Sequence, residues 1–272
     1  MDFCQKGVHI MRMVLIWLSS LMVLLAGCDQ FSLSPREPVH KKPAVKKEAA
    51  PVMAIKQGDV TITGIGDSLT AGIGDDSKNG GYVGVVKTKL SDLNTIDTVA
   101  VNNYAVLGNQ TTDLMKKLQK KEVKNALKES DIILLTIGGN DIMKVVKDHI
   151  FDLTLQPFEK AQTGYEERLN SIFQTIRHYN PDAKIIYSGL YNPFKFALPE
   201  LSEIDVVVED WNGAAKKLIE ADGNAEFVPV ADLYDNPNEG LLYKDSFHPN
   251  TQGYSLIGER VYEAILRRDG SR

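Results

Sequence analysis

A serine near one end of the chain and an aspartate–histidine pair near the other could together carry out acyl transfer. Ser68 lies in the stretch GIGDSLT (residues 64–70), and Asp245 and His248 lie in DSFHPN (residues 245–250). A serine hydroxyl is a weak nucleophile until an adjacent base takes its proton. Histidine titrates near neutral pH and can take that proton and return it to the leaving group. A carboxylate a few residues before the histidine can turn back to the ring and fix its tautomer.

Each of these segments, taken alone, also has an interpretation without catalysis. Ser68 can be the N-cap of a helix, and a histidine before a proline is typical of a surface loop. Two further segments follow predicted strands. In NYAVLGNQTT (residues 103–112), Gly108 can be a turn glycine, and GGND (residues 138–141) can be a turn capped by Asn140.

The other histidines do not need a catalytic role. His149 and His178 fall near the C-terminal ends of predicted helices, where a positive charge interacts favourably with the helix dipole. His9 and His40 precede the predicted globular region. This elimination leaves His248 as the candidate base. No spacing of His, Cys, Asp or Glu resembles a metal motif, so we expect neither a metal nor another cofactor.

Alternating strand and helix patterns predict a scaffold that would bring these segments together. Short apolar runs predict five strands, at residues 60–65, 98–101, 132–137, 184–188 and 226–230. Helical patterns cover residues 82–93, 112–127, 159–179, 204–221 and 251–267. The fold class is therefore α/β, with three α/β/α layers and a central five-stranded parallel sheet. Ligands bind at the carboxyl ends of such strands, which is where the candidate residues lie.

The order of the motifs resembles that of the SGNH (GDSL) hydrolase superfamily. The chain has Gly-Asp-Ser-Leu at residues 66–69, a downstream glycine, Gly-Gly-Asn-Asp at residues 138–141 and Asp-x-x-His-Pro at residues 245–249. The resemblance spans residues 61–258 and is nearest to bacterial lysophospholipases and acyl-thioesterases. It implies the flavodoxin-like fold of the superfamily. One departure is Ala105, at a place where relatives often have glycine.

The resemblance also implies a role for each motif. Ser68 would be the nucleophile, and Asp245 and His248 the acid and the base. The backbone N–H groups of Ser68 and Gly108 and the side-chain amide of Asn140 would form the oxyanion hole. Loss of one such donor typically costs about 10²–10³-fold in kcat.

The N-terminal segment predicts an export signal. The apolar run of residues 13–25 is too short to span a bilayer and suits a signal peptide covering residues 1–27. Residues 25–28 (LAGC) resemble a bacterial lipobox, in which Cys28 would be lipidated. An uncleaved anchor and ordinary secretory cleavage are the alternatives. Residues 28–57, rich in Pro, Lys, Glu and Ala, predict a flexible tether, and residues 58–272 the hydrolase domain.

Composition excludes some partners and agrees with export. The chain of 272 residues has a formal net charge of −5, which gives no electrostatic basis for binding nucleic acid. Both cysteines, Cys4 and Cys28, precede the predicted domain, which therefore has no disulfide and suits an extracytoplasmic location. The predicted location is the extracytoplasmic face of the bacterial cell membrane, held by the lipid anchor.

These observations predict a serine hydrolase that cleaves carboxylic esters through an acyl-enzyme. The expected substrates are lipid or lysolipid acyl esters and, by extension, thioesters. The alternatives are an O-deacetylase of cell-wall carbohydrate and, from another class, a binding module without activity. Four phenylalanines after the third and fourth strands are candidates for an acyl pocket or for the core: Phe151, Phe158, Phe194 and Phe196.

Overall fold

Five parallel strands form the centre of the fold. The computed structural model describes residues 56–149, 151, 153–195 and 203–267. The strands are Gly58–Gly66 (β1), Ile96–Asn103 (β2), Ile132–Thr136 (β3), Lys184–Ser188 (β4) and Ala225–Val228 (β5). They pair in the order β2-β1-β3-β4-β5, every pair parallel. The predicted fold class is confirmed.

Helices cover both faces of this sheet. They are Ser68–Ala71 (α1), Gly81–Ser91 (α2), Thr111–Leu118 (α3), Lys121–Lys128 (α4), Gly139–Asp148 (α5), Leu155–Tyr179 (α6), Glu203–Glu220 (α7) and Thr251–Leu266 (α8). Short 3₁₀ turns at Ala231–Tyr234 and Pro237–Glu239 follow β5. Among these described helices, none is long and apolar enough to cross a membrane.

The central strand shows how the two cores are separated. All of β3 is buried. Ile133 and Leu135 pack with α3 to α7 on one face, while Ile132 and Leu134 pack with α2 and α8 on the other. Side chains alternate between the faces of a strand, so a continuous apolar run is needed when both faces are covered.

Two predicted helices differ from the structure. The helix predicted over residues 112–127 is two helices, because Lys120 is extended (ψ 135°) between α3 and α4. Leu118 and Val123 are both buried in the same core. In a continuous helix, side chains five positions apart point to different faces, so both could not reach that core. The helix predicted over residues 159–179 begins four residues earlier, at Leu155, as α6. Pro157 lies in the first turn of α6, where a proline is tolerated.

The N-terminal predictions fall mostly outside the described residues. The predicted signal peptide (residues 1–27) and residues 28–55 of the predicted tether are not described. The predicted domain start at residue 58 coincides with the first residue of β1.

Candidate active site

A close approach between β1 and β3 fixes the turn that carries Ser68. Gly66, the last residue of β1, has φ +118°, and a Cβ there would lie 1.9 Å from the carbonyl oxygen of Thr136. Asp67 caps α1, because its side chain accepts a hydrogen bond from the N–H of Leu69 (3.1 Å). Ser68 is therefore the first residue of the helix and not its cap, and its hydroxyl is not used in capping.

The carboxyl of Asp67 is buried beside Ser68. Thr136 Oγ1 donates to Asp67 Oδ1 (2.6 Å) and accepts from the N–H of Thr70 (3.2 Å). Burial raises the pKa of Asp67 to about 7, although the hydrogen bonds from Thr136 and Leu69 act in the opposite direction. These bonds tie the turn of Ser68 to β3. This positioning role of Asp67 was not predicted. Its only sign in the sequence is the aspartate of the Gly-Asp-Ser-Leu motif.

Gly108 lies in a turn that is hydrogen-bonded to the last residue of β1. The N–H of Val106 and the side-chain amide of Asn109 both donate to the carbonyl oxygen of Gly66, each at 3.1 Å. Gly108 is exposed and has φ +82°, so it is a turn glycine as its position suggested. Hydrogen bonds therefore hold the turn of Gly108 to Gly66, which lies two residues before Ser68.

Asn140 lies in the first turn of α5, directly after β3. Its Nδ2 donates to the carbonyl oxygen of Asn109 (3.0 Å), which fixes the side-chain amide against the Gly108 turn and leaves its second N–H for another acceptor. The neighbouring Asp141 accepts from the N–H (2.9 Å) and the hydroxyl (2.6 Å) of Thr111 at the start of α3. Asn140 and Asp141 thus hold together two segments that are distant in sequence.

The Asp245–His248 pair has the geometry that the sequence predicted. His248 Nδ1 lies 2.7 Å from Asp245 Oδ2, and the N–H groups of His248 (2.9 Å) and Phe247 (3.0 Å) donate to Asp245 Oδ1. Burial alone would raise the pKa of the Asp245 carboxyl, but these hydrogen bonds outweigh it and hold the pKa below its ordinary value. Nε2 of His248 is buried and has no hydrogen-bond partner.

Residues 73 and 74 contact both the loop of His248 and the turn of Ser68, and so keep the two close together. Gly74 packs so closely on this loop that a Cβ there would lie 2.5 Å from the carbonyl oxygen of Pro249 and 3.0 Å from His248 Cβ. The residue before it, Ile73, donates its N–H to the carbonyl oxygen of Ser68 (3.1 Å). No hydrogen bond joins the Ser68 hydroxyl to His248 Nε2, and such catalytic bonds often form only in the substrate complex.

A cavity opens at Ser68. Its empty volume is about 420 Å³ including the opening to solvent. Ser68 and Asn140 line it, whereas Gly108 does not. The larger apolar side chains in its wall are Leu69, Leu190, Tyr191, Pro193 and Phe247. Tyr191 also donates its hydroxyl to the carbonyl oxygen of Phe247 (2.6 Å), which links this wall to the loop of His248.

The four candidate phenylalanines do not themselves line this cavity where they are described. Phe158 is buried in the core, and Phe151 is 98% exposed. Phe194 contacts Phe247, a residue of the wall, with ring centroids 5.8 Å apart. Phe196 lies outside the described residues. The apolar residues of the wall were not predicted from the sequence, where only their positions next to Ser68, β4 and His248 distinguish them.

The other two histidines of the described residues both lie at helix C-termini. His149 directly follows the last residue of α5, and His178 is in the last turn of α6. Among the residues that the structure describes, no group of three or more His, Cys, Asp or Glu side chains could hold a metal ion.

The arrangement of these segments agrees with a comparison against protein families. Residues 65–256 match the model of the GDSL-like Lipase/Acylhydrolase family. The chain belongs to this family. As a GDSL-like hydrolase, it is a carboxylic ester hydrolase with the α/β fold of the SGNH superfamily.

Two curated relatives match most of the chain. The uncharacterized protein YpmR of Bacillus subtilis (strain 168) is 40% identical over 253 residues, or 92% of this chain and 94% of YpmR. That share exceeds what residues 56–272 provide, so the likeness extends into the N-terminal segment. The spore germination lipase LipC of Bacillus licheniformis is 25% identical over 207 residues, which cover 74% of this chain and 94% of LipC.

Solved structures show the same GDSL-like fold. The lipase Lip_vut3 from a goat rumen metagenome superimposes with a TM-score of 0.69 at 24% identity, over 77% of this chain and 99% of that chain. Axe2, an acetylxylan esterase from Geobacillus stearothermophilus, gives a TM-score of 0.58 at 21% identity, over 78% of this chain and 97% of its own. These likenesses establish the fold and not the substrate.

Proposed function

We propose that the protein is a lipid-anchored esterase that cleaves lipid or lysolipid acyl esters through an acyl-enzyme on Ser68. The observation that carries the proposal is the cavity at Ser68, whose wall presents five apolar side chains beside Asn140. Pockets of this kind bind apolar groups and use a few polar groups to orient them. The name of the relative LipC, a spore germination lipase, supports the same substrate class.

The proposed reaction begins with attack by the Ser68 oxygen on the ester carbonyl carbon. His248 Nε2 takes the hydroxyl proton and passes it to the departing alkoxide, so that an alcohol leaves and the acyl group stays on Ser68. Water, deprotonated by the same nitrogen, then releases the acid and regenerates Ser68. Asp245 holds the other ring nitrogen at 2.7 Å, which fixes the tautomer and stabilises the imidazolium.

The oxyanion formed in both steps needs donors that are already in place. Asn140 is oriented by its bond to the Asn109 carbonyl, and its second N–H is available at the cavity. The backbone N–H groups of Ser68 and Gly108 complete the proposed oxyanion hole. Two hydrogen bonds hold the Gly108 turn to the carbonyl oxygen of Gly66. They support Gly108 as one of the oxyanion-hole donors, because preorganised donors do not have to reorient during the reaction.

An apolar acyl cavity predicts a preference for longer acyl chains. Each buried methylene contributes about 0.8 kcal/mol, so the four additional methylenes of hexanoate over acetate contribute roughly 1.6 kcal/mol even at half the full value. We therefore expect kcat/KM for p-nitrophenyl hexanoate to exceed that for the acetate ester by more than about tenfold. The measurement is a series of p-nitrophenyl esters at subsaturating concentration, with Ser68→Ala protein as the background control.

The same series can contradict the proposed substrate class. A clear optimum at acetate, accompanied by release of acetate from O-acetylated cell-wall polymer, would favour the carbohydrate O-deacetylase. Activity towards no ester at all would contradict the proposed function as a whole.

The location is proposed from the N-terminal segment. Two acyl chains on Cys28 would give stable membrane binding, whereas one chain is marginal. We expect Cys28→Ala to move the protein from the membrane fraction to the soluble fraction, or to leave a precursor of lower electrophoretic mobility. Cys4→Ala is the matched control, because Cys4 precedes the apolar run and would be removed with the signal. Unchanged mobility and unchanged membrane retention of Cys28→Ala in intact cells would refute lipidation.

A further inference from the structure

We propose that Gly139 determines the acyl-chain length that the enzyme accepts, because the missing side chain keeps the cavity open between Asn140 and Leu190. This inference rests on the proposed function of the cavity as the acyl site. Gly139 lies between Gly138, where the backbone conformation requires glycine, and Asn140, which belongs to the proposed oxyanion hole. The proposal gives Gly139 a role in specificity.

Space, and not backbone conformation, distinguishes Gly139 from its neighbour. Gly138 has φ +120°, and a Cβ on it would lie 2.8 Å from the ring of Tyr165. Gly139 has no positive φ, and a Cβ on it would meet only Leu190 Cδ2, at 4.0 Å, which is ordinary van der Waals contact. The backbone at residue 139 therefore accepts an L-residue without strain, and its side chain would project into empty space. Gly139 lines the cavity, and so does Leu190, the one neighbour that such a Cβ would meet.

The backbone of the opposite wall is held in place, so only the Leu190 side chain could shift. The backbone of Leu190 is held on both sides by the amide of Asn212, which accepts from Leu190 N–H (2.8 Å) and donates to the Leu190 carbonyl (2.9 Å). The preceding Gly189 is equally confined, because a Cβ there would lie 2.7 Å from the ring of Phe227. A side chain at residue 139 would therefore reduce the volume available to the substrate.

The position of Gly139 relates this volume to the acyl chain. In the acyl-enzyme the carbonyl carbon is bound to Ser68 and its oxygen points to Asn140. An acyl chain that enters the cavity then passes the residue next to Asn140 in sequence. Longer acyl groups occupy more of this cavity than short ones, so a loss of volume beside residue 139 should affect them more.

The test is a graded series of substitutions, Gly139→Ala and Gly139→Val, assayed with the acetate, butyrate and hexanoate esters of p-nitrophenol. We expect the hexanoate-to-acetate ratio of kcat/KM to fall by about tenfold in Gly139→Ala and by more in Gly139→Val, since one methylene-sized change in an apolar pocket alters discrimination by about 10–200-fold. Gly213→Val is the matched control. Gly213 is an exposed glycine of α7, and a Cβ there has no neighbour within 4 Å, so the ratio should not change.

A second substitution shows whether the lost volume is the cause. Adding Leu190→Ala to Gly139→Val removes the side chain that a Cβ at residue 139 would meet and should restore at least part of the hexanoate activity. If Gly139→Val is inactive towards every ester, the ratio for Gly139→Ala decides. A wild-type enzyme that cleaves these esters, with the same ratio in folded Gly139 variants, would overturn the inference and leave the proposed function intact. A wild-type enzyme that cleaves none of them would overturn the proposed function itself.

Discussion

Replacing Ser68 with alanine is expected to lower kcat for ester hydrolysis by about 10⁶-fold, the scale observed when the nucleophile of a serine hydrolase is removed. Without the hydroxyl no acyl-enzyme forms, and only the slow direct attack of water remains. The fold should be unaffected, because Asp67 and not Ser68 caps α1. Turnover of p-nitrophenyl butyrate and the thermal unfolding midpoint of the same preparation test both expectations.

Covalent labelling provides an independent check on the nucleophile. An organophosphonate probe should modify the wild-type protein once, at Ser68, and should not modify Ser68→Ala. Ser171→Ala is the matched control, because the Ser171 hydroxyl on α6 bonds only to the backbone of its own helix. Labelling of Ser68→Ala at another serine would contradict the assignment.

The central strands β3 and β4 could be predicted because both of their faces are covered. A strand buried on both faces needs an unbroken apolar run, and KIIYS gives the limits of β4, Lys184–Ser188, without error. The break between α3 and α4 could not be predicted in the same way. It depends on Leu118 and Val123 reaching one core, which is a property of the packed structure.

The motifs predicted which polar groups would come together, but not what surrounds them. Asp245 and His248 are close in sequence, so their contact follows from the local turn. The cavity wall, in contrast, combines residues after β1, β3, β4 and β5, and no local pattern indicates which apolar residues meet there. Phe158 is an example, since α6 carries it into the core.

Removal of the proposed base should be as damaging as removal of the nucleophile. Residues of one catalytic unit are not additive, so His248→Ala should lower kcat by about 10⁶-fold, and the double variant with Ser68→Ala should lose little more. His149→Ala and His178→Ala are the controls. Both lie at helix C-termini, and both variants should keep wild-type activity. Equal loss in either control, in a folded protein, would refute the choice of His248.

Asp245→Asn should be less damaging than His248→Ala, at about 10⁴-fold. The amide keeps an oxygen to accept from the backbone N–H groups of Phe247 and His248, so the turn should persist. With its oxygen kept there, the amide places an N–H donor where the carboxylate oxygen lay, 2.7 Å from His248 Nδ1. A donor at this position selects the wrong tautomer of the ring. Because hydrogen bonds hold the pKa of Asp245 below its ordinary value, the wild-type carboxylate is ionised at neutral pH, where the comparison of kcat values is made. A loss in Asp245→Asn as large as that in His248→Ala would mean that Asp245 does more than orient the ring and stabilise its charge.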